Sequence, residues 1–383
     1  IMQIDQEKLL ARVHTALETI KKGGMVIMVD DEDRENEGDL VLAAECVNPQ
    51  HINFMAKEAR GLICLTLEPH IVDRLKLPMM ADTTKRLPYQ GTAFTVSIEA
   101  REGVSTGISA ADRAHTIKVA IDPASTPEDI VVPGHIFPLK ARAGGVLERA
   151  GHTEGSVDIA RLAGFRGAGV ICEIMNDDGT MARMSDLEQF AIKHELPIIA
   201  IADLIQYRLM HESMVEEVRR ETVKTMHGLI EAVLFRNIVD GLEHVALIKG
   251  DRYEDFIVDV RVHTQQPLVD VFADRSQGSG YRLQKGLDIL AEQDRAVLIY
   301  LNNPSSSWQA DLQAMSADAY PQTVEDFGTM KRMDLRMHGT GAQIIRSLGI
   351  QRMRVHSSSP LLLKGLSGFG LEIVENSIIH KPS

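Results

Sequence analysis

The segment DDEDRENEGD (residues 30–39) lies between two short, partly β-branched apolar segments, residues 25–29 and 40–44. Apolar segments of this length and composition predict two strands joined by an acidic loop. The loop carries seven acidic side chains and one arginine within ten residues. Carboxylates crowded in this way repel one another, so some must be solvated, protonated, paired with a cation or bound to a metal ion.

Three of these acidic residues, Glu35, Glu37 and Asp39, occupy alternate positions. In an extended chain their side chains would point to the same side. Such an arrangement could offer oxygen ligands to a hard divalent cation, or a base beside one. The alternative is a solvated acidic turn without chemistry, and the loop sequence alone leaves both interpretations open.

Outward from this loop, the chain alternates between helical and strand patterns. Apolar residues recur at helical spacing over residues 5–22 and are followed by Gly23-Gly24, while Asn48 before Pro49 predicts a second helix start. Further predicted elements are strands at residues 62–67, 168–175 and 197–201 and a helix from a Ser185/Glu188 capping box to about residue 196. This alternation predicts a layered α/β fold.

The length of 383 residues favours two domains. A polar segment with helical character over residues 204–220 marks the boundary between them. We therefore predict a first domain over residues 1–207, a helical linker over residues 208–222 and a second domain over residues 223–383.

Composition excludes several classes of protein. Apolar and charged contents of 44% and 25% are those of a soluble globular protein, no apolar run approaches a membrane span, and the first residues lack a signal-peptide pattern. The net charge of −13 argues against a nucleic-acid-binding surface. Three widely spaced cysteines in apolar runs, Cys46, Cys64 and Cys172, predict buried free thiols. We expect a cytoplasmic protein that binds neither membranes nor nucleic acid.

The segment STGISAADR (residues 105–113) combines a helix start with a hydroxyl-rich loop. Ser109 and Asp112 are spaced to cap a helix over residues 110–120. The preceding hydroxyls, those of Ser105 and Thr106 among them, would then lie at a helix N-terminus, where a phosphate group can bind. Capping alone also explains the segment, so both interpretations stay open.

Two further segments contain a histidine. In PGHIFP (residues 133–138), His135 lies in a stiff loop between prolines, either as a structural hydrogen-bonding residue or as a catalyst. In RAGGVLERAGHTEG (residues 142–155), the glycines allow close backbone approach to a ligand, and Arg149 with Thr153 could hold a phosphate. A glycine-rich connection before a helix over residues 156–162 is the structural alternative.

Glu173 follows Cys172 in the apolar segment VICEIM (residues 170–175). A carboxylate in such a strand is rarely buried without a partner. Desolvation would raise its pKa, which suits a role in proton transfer.

Taken together, these segments resemble the 3,4-dihydroxy-2-butanone 4-phosphate synthases of riboflavin biosynthesis. The similarity covers about residues 5–207 and rests on DDEDRENEGD, STGISAADR, PGHIFP, RAGGVLERAGHTE and the Cys172-Glu173 pair, in that order. The resemblance implies a three-layer αβα domain with a mixed sheet. It also implies magnesium-dependent conversion of D-ribulose 5-phosphate to L-3,4-dihydroxy-2-butanone 4-phosphate and formate, with manganese as a possible substitute for magnesium.

The same resemblance assigns roles to residues. Glu35 and His152 would bind the metal, while Glu37, His135 and Glu173 would transfer protons. The expected substrate-binding residues are Arg34, Glu35, Asp39, Ser105, Thr106, Arg149, Ala150, Gly151, His152, Thr153 and Glu173. Members of the family are homodimers with shared active sites, so we expect His135 to act in the partner's site.

From about residue 222 the chain resembles GTP cyclohydrolase II, which predicts a second α/β domain and an α/β (mixed α+β) protein overall. The resemblance rests on HVAL (residues 244–247), VRVHT (260–264), DLRMHGTGAQII (334–345) and GLSGFGLE (365–372). That family binds zinc through three cysteines, and the matching positions here are Gln266, Gln277 and Ser279. No cysteine follows Cys172, and amides and hydroxyls are poor zinc ligands.

The phosphate-binding loop of that family is also replaced, by LNNPSSSW (residues 301–308). We therefore expect no zinc and no opening of GTP, and a second domain kept for structural reasons. Two alternatives are a bifunctional enzyme that also opens GTP and a non-catalytic binding or assembly module.

Overall fold

The computed structural model describes residues 2–30, 35–80, 92–272, 278–303, 331–357 and 371–379, together with residues 308 and 311. The chain divides into two compact units, one of residues Ile4–Arg208 and one of residues Leu209–Ser383 with Ile1–Gln3. Among the described residues, no helix combines the length and apolar character needed to cross a membrane.

The first unit is built on a mixed seven-stranded sheet with the strand order β4-β5-β3-β6-β2-β1-β7. Most neighbouring strands are antiparallel, whereas β1 pairs with β7 and β3 pairs with β5 in parallel. The strands are β1 (Val26–Val29), β2 (Gly38–Ala43), β3 (Cys64–Leu67), β4 (Ile98–Ala100), β5 (Ile130–Lys140), β6 (Ala168–Glu173) and β7 (Ile198–Ala200).

Helices cover both faces of this sheet. The helices described in this unit are α1 (Met2–Lys21), α2 (Pro49–Phe54), α3 (Pro69–Arg74), α4 (Ala110–Ile121), α5 (His152–Leu162), α6 (Met184–His194) and α7 (Ile201–His211). One face carries the main core, where Leu40 and Val170 of the sheet share a buried cluster with Ile52 of α2, Ile117 of α4 and Leu187 of α6.

Helix α5 packs on the opposite face, where Ser156 is hydrogen-bonded to Thr66 of β3 over 2.8 Å. The predicted three-layer αβα arrangement with a mixed sheet is confirmed. It follows from β2 and β6, whose residues are buried on both faces, because such strands need helices on either side.

The acidic loop joins two strands, as predicted, and the structure shows that these strands are antiparallel. Met28 lies opposite Asp39, and Val29 lies opposite Gly38. Two predicted helix starts are also confirmed, since the Asn48 side chain accepts a hydrogen bond from His51 N and Ser109 accepts one from Asp112 N.

Three local predictions are wrong. The PGHIFP segment is part of strand β5 and not a loop. Helix α5 begins at His152, four residues earlier than expected. Helix α6 is capped at Arg183, whose backbone N–H donates to Asp186, and the Ser185/Glu188 box is not formed.

The cysteines carry free thiols, as predicted, although Cys46 is only half-buried while Cys64 and Cys172 are buried.

The second unit contains another mixed seven-stranded sheet, with the order β14-β13-β11-β12-β10-β9-β8. Its strands are β8 (Val215–Thr225), β9 (Gly228–Asn237), β10 (Glu243–Lys249), β11 (Ile257–Thr264), β12 (Ala296–Leu301), β13 (Arg352–Ser357) and β14 (Glu372–Ile378). The described helices are α8 (Pro267–Phe272), α9 (Gly278–Glu292) and α10 (Lys331–Ser347).

Helices α9 and α10 pack on opposite faces of this second sheet. Gly286 of α9 lies against Arg261, and Gly341 of α10 lies against the neighbouring residue Val262, whose side chain points to the other face. The second unit is therefore also an αβα sandwich, which confirms the predicted α/β class.

The predicted helical linker over residues 208–222 is wrong. Helix α7 ends at His211, and strand β8 begins at Val215. The run of charged residues that suggested a helix lies instead on a β-hairpin, where Arg220 pairs with Glu217 on its own strand and Glu231 on the next. The charges are exposed on the hairpin surface, so the apolar periodicity that distinguishes the two structures is weak there.

Candidate active site

Asp30 organises the acidic loop between β1 and β2. Its carboxylate accepts hydrogen bonds from the backbone of Glu35 over 3.2 Å and of Glu37 over 2.8 Å. Arg183 donates to the backbone carbonyl of Glu35 over 2.6 Å and lies 3.8 Å from a Glu37 carboxylate oxygen. Asn36 adopts a left-handed conformation, so the chain turns here instead of extending as the alternation of Glu35, Glu37 and Asp39 suggested.

Asp39 and Glu173 lie directly opposite each other on β2 and β6. Asp39 is only 3% exposed. Burial, followed by the negative charges of Glu173 and Glu37, raises the pKa of Asp39 well above its ordinary value. Burial and the charge of Glu35 likewise raise the pKa of Glu37. The site therefore concentrates carboxyl groups at one end of the sheet.

His152 is the first residue of α5 and is buried beside this charge. Its Nδ1 lies 4.0 Å from Asp39 Oδ1. One ligand atom each from Asp30, Glu35 and His152 lie within 4.8 Å of one another, so these three residues could hold a metal ion. The sequence prediction named Glu35 and His152 but missed Asp30, although Asp30 lies within the quoted segment.

Glu173 is fixed by the backbone that precedes β3. Its Oε2 accepts a hydrogen bond from Leu62 N over 2.8 Å. A Cβ at Gly61 would lie 2.7 Å from that same oxygen, so glycine is required for the close approach. Arg34, the other residue expected in the acidic loop, lies outside the described residues.

The glycine-rich segment before α5 is held by an ion pair. Arg149 donates to Glu154 Oε2 over 2.7 Å, and the other oxygen of the buried Glu154 accepts from Arg142 N over 3.1 Å. Gly151 is the N-cap of α5, and a Cβ there would lie 2.5 Å from Arg149 Nη1. Thr153 is buried and Ala150 half-buried, so the segment presents mainly backbone and the Arg149 guanidinium.

The predicted hydroxyl loop is folded around Asp112. Ser105 Oγ and Gly107 N both donate to Asp112 Oδ2, over 2.8 Å and 3.0 Å. These bonds lower the pKa of Asp112. The Ser105 hydroxyl is thus used within the loop, while Thr106 is exposed.

His135 lies in the same neighbourhood as this hydroxyl loop. Its Nδ1 is 2.6 Å from Oε2 of Glu99, a residue of β4 that the sequence prediction missed. Gly107 of the loop packs against the same carboxylate. The only sequence signal for Glu99 was a single acidic residue in an apolar segment, 36 residues before the histidine.

The candidate residues therefore form two groups at one end of the sheet. Phe137, Cys64 and Ile171 are in register across β5, β3 and β6. His135 lies two residues before Phe137 on β5, and Glu173 lies two residues after Ile171 on β6. Because β5 runs parallel and β6 antiparallel to β3, both residues lie at the end of the sheet where β3 begins, with β3 between their strands.

In the second unit, the three positions expected to replace zinc ligands differ in what the structure describes. Gln266 donates its backbone N–H to Asp270 Oδ2 over 3.0 Å. Asp270 also accepts from Tyr300 Oη over 2.9 Å and lies 3.0 Å from His263 Nε2. Ser279 lies on α9, whereas Gln277 and most of residues 301–308 lie outside the described residues.

Comparison with known proteins finds relatives for both halves of the chain. The sequence model of 3,4-dihydroxy-2-butanone 4-phosphate synthase matches residues 14–207, and that of GTP cyclohydrolase II matches residues 216–377. The chain is 49% identical to the riboflavin biosynthesis protein RibBA of Aquifex aeolicus over 372 residues, which cover 95% of this chain and 91% of the relative.

A second relative is a 3,4-dihydroxy-2-butanone 4-phosphate synthase of Pseudomonas syringae pv. tomato. It is 47% identical over 369 residues, which cover 95% of this chain and 98% of the relative. Among solved structures, RibBX, a two-domain 3,4-dihydroxy-2-butanone 4-phosphate synthase from A. baumannii, is similar with a TM-score of 0.77 and 42% identity, over 95% of this chain and 99% of that one. The resemblances predicted for both halves are confirmed.

Proposed function

Since the chain belongs to the 3,4-dihydroxy-2-butanone 4-phosphate synthase family of riboflavin biosynthesis, we propose that its acidic site converts D-ribulose 5-phosphate to L-3,4-dihydroxy-2-butanone 4-phosphate and formate. The observation that carries this proposal is the cluster of Asp30, Glu35 and His152 beside the buried carboxylate of Asp39.

The donor set of this cluster fits a divalent metal ion. Two carboxylates and one imidazole lie within reach of one ion, and carboxylate ligands suit magnesium or manganese. Glu35 and His152 would hold the ion, with Asp30 as a third ligand or as the anchor of the loop. The bound ion would neutralise negative charge that develops on the oxygens of the sugar during proton abstraction.

The protein's own carboxyl groups would handle the protons. Burial and neighbouring negative charges favour the protonated form of Asp39, so it can donate to a substrate oxygen. Glu37 is half-buried with its pKa raised, which brings it closer to the range of an acid or base that works near neutrality. Glu173 keeps one oxygen on Leu62 N and offers the other to the substrate.

The phosphate of the substrate would be held by positive and hydrogen-bonding groups around this centre. Residues 149–153 enter α5 through a glycine N-cap, and the N-terminus of a helix favours an anion. Arg149 supplies a guanidinium and Thr153 a hydroxyl. Ser105, Thr106 and Arg34 are the other proposed substrate-binding residues.

A homodimer would bring His135 into this scheme. The His135 side chain is 43% exposed, although it carries the chemistry of an acid or base. Such exposure suits a residue that completes a site in a second copy of the chain. We propose that the active sites are shared in this way.

For the second unit, we propose that it neither binds zinc nor opens GTP. The chain lacks a thiol at each of the three expected ligand positions, and the Gln266 backbone is tied to Asp270. The competing proposal is a bifunctional enzyme, which the match to GTP cyclohydrolase II over residues 216–377 favours. Turnover of GTP by the purified chain would support that alternative.

The test of the main proposal is release of formate from D-ribulose 5-phosphate. The full chain should release formate in the presence of magnesium. Formate release should stop when the metal is chelated and should recover when magnesium or manganese is added back. Absence of formate with every divalent metal tried would overturn the proposal.

A further inference from the structure

Strand β5 makes an excursion next to β4, and His135 lies on it. Ile98 of β4 pairs with Ile136, whereas the next residue, Glu99, pairs with Val131. Residues 132–135 therefore have no counterpart in the β4 ladder and form a bulge in β5. A bulge of this kind redirects side chains relative to a regular strand.

A glycine fixes this excursion against the neighbouring strand. A Cβ at Gly134 would overlap the peptide between Ile98 and Glu99, so a larger residue could not approach so closely. Gly134 N also donates to Ser97 Oγ over 3.2 Å. These contacts hold the residue that follows, His135, beside the Glu99 side chain.

Both oxygens of the Glu99 carboxylate are engaged. Oε2 lies 2.6 Å from His135 Nδ1, and Thr116 Oγ1 donates to Oε1 over 3.1 Å. Thr116 Oγ1 itself accepts from Ala100 N over 3.1 Å, which leaves its own proton for the carboxylate. Glu99 is only 8% exposed, and Gly107 closes over it with a left-handed backbone that admits no side chain.

This arrangement decides which nitrogen of His135 carries a proton. An ionised carboxylate only accepts hydrogen bonds, so His135 Nδ1 must be the donor in the 2.6 Å contact. A neutral imidazole then has its lone pair on Nε2, the nitrogen on the side of the ring away from Glu99. The imidazole is thereby prepared to accept a proton at Nε2.

We propose that Glu99 is the positioning residue of His135, fixing its Nδ1–H tautomer and its ring orientation for proton transfer. This inference rests on the proposed function, because it gives His135 a role in the reaction. The alternative is a Glu99–His135 contact that only fastens β5 to β4. A purely structural contact does not require a particular tautomer of His135. Measuring the tautomer therefore distinguishes the positioning role from the structural one.

The first experiment measures the tautomer without measuring activity. In the full chain with ¹⁵N-labelled histidine, a long-range ¹H–¹⁵N correlation spectrum distinguishes Nδ1–H from Nε2–H imidazole, and His135→Asn identifies the resonance. We expect Nδ1–H in the wild type and loss of that preference in Glu99→Gln. An Nε2–H imidazole in the wild type, or an unchanged preference in Glu99→Gln, would overturn the inference.

The second experiment measures steady-state formate release. Glu99→Gln should lower kcat about 10²-fold with little change in KM, because a misprotonated base loses most of what acid–base catalysis contributes. Glu102→Gln removes one charge from an exposed position nearby and should behave as the wild type. Glu99→Asp keeps the carboxylate and should therefore have a kcat between those of Glu99→Gln and the wild type. This variant tests the inference even if Glu99→Gln folds poorly.

Formate release by a further variant, His135→Ala, separates this inference from the function on which it rests. If His135→Ala keeps the wild-type kcat, the catalytic role of His135 fails and Glu99 has no proton transfer to support. If His135→Ala is inactive while Glu99→Gln keeps the wild-type kcat, the proposed function stands and the positioning role of Glu99 is overturned.

Discussion

The segment from the end of β1 to the start of β2 in the first unit and the segment after β11 in the second make an instructive pair. Each follows a buried strand and carries a buried carboxylate near a histidine. Around Asp39 the neighbours are further carboxylates, and its burial together with their negative charges raises its pKa. Around Asp270 the neighbours are donors: the backbone of Gln266, the hydroxyl of Tyr300 and the ring of His263.

This difference in the neighbours of the two carboxylates distinguishes a candidate ligand-binding site from a structural hydrogen-bond cluster. A group of like charges is unfavourable by itself and becomes favourable when a cation or a substrate binds. A carboxylate surrounded by donors already has hydrogen-bond partners within the protein and gains less from a ligand. Within the described part of the chain, the group able to hold a metal ion lies in the first unit. We therefore propose a catalytic role for the first region and a structural role for the second.

The most severe test of the first region is His152→Ala. It removes the imidazole that completes the proposed metal site at the start of α5, so we expect formate release to fall to background even at high magnesium concentration. The matched control is His70→Ala, since the His70 side chain is 71% exposed. Similar activity in the two variants would break the assignment of the metal to this site.

The proton-transfer role of Glu37 predicts the next largest effect. Glu37→Gln keeps the shape of the side chain but cannot take up a proton, so kcat should fall roughly 10²–10⁴-fold. Metal affinity, measured by magnesium titration of activity, should change much less. Glu188→Gln, at an exposed position on α6, provides the comparison. A Glu37→Gln enzyme with normal kcat would remove Glu37 from the mechanism.

Introducing cysteines into the second unit tests the proposal that this unit binds no metal ion because it lacks thiol ligands. The wild type should bind no stoichiometric zinc and consume no GTP. The triple variant Gln266→Cys, Gln277→Cys and Ser279→Cys supplies three thiolates, so it should retain about one zinc ion per chain after dialysis. Zinc in the wild type, or GTP turnover by it, would contradict the proposal that the second unit is inactive as a cyclohydrolase.

Much of the first region could be predicted from sequence, because its signals are local. Crowded acidic residues, a cap at Ser109 and a histidine next to glycines are visible in short segments. The contact between Glu99 and His135 could not be predicted from sequence, since it depends on a bulge in β5 and on the close approach of Gly134 to β4. The role of Asp30 was hidden for a similar reason, because it is set by two backbone hydrogen bonds.

The errors in secondary structure have the same origin. Prolines in PGHIFP predict a loop, yet the segment is accommodated in β5 through the excursion beside β4. The charged run after residue 211 has no apolar stripe, so its sequence does not distinguish an exposed helix from the exposed hairpin of β8 and β9. Long-range pairing decided both cases.

Removing the second unit should have only a small effect on formate release. The first unit has its own buried core and contains every described candidate residue of the active site. A chain ending at Arg208 should therefore keep formate release within about tenfold of the full chain, equivalent to less than about 1.4 kcal/mol in transition-state stabilisation. Circular dichroism and thermal melting would verify that it is folded. A folded but inactive chain would show that the second unit contributes to catalysis.

The smallest effect on activity is expected from Asp270→Asn, which should reduce stability instead. The Asp270 side chain is 1% exposed and lies among three donors. An amide can accept with only one oxygen and turns its NH₂ group towards donors, so about 1–3 kcal/mol of the unfolding free energy of the second unit should be lost. Urea denaturation would measure this loss, and the rate of formate release below the transition should equal that of the wild type. A drop in formate release by a folded Asp270→Asn protein would mean that the second region is coupled to the first, and the division into site and scaffold would have to be abandoned.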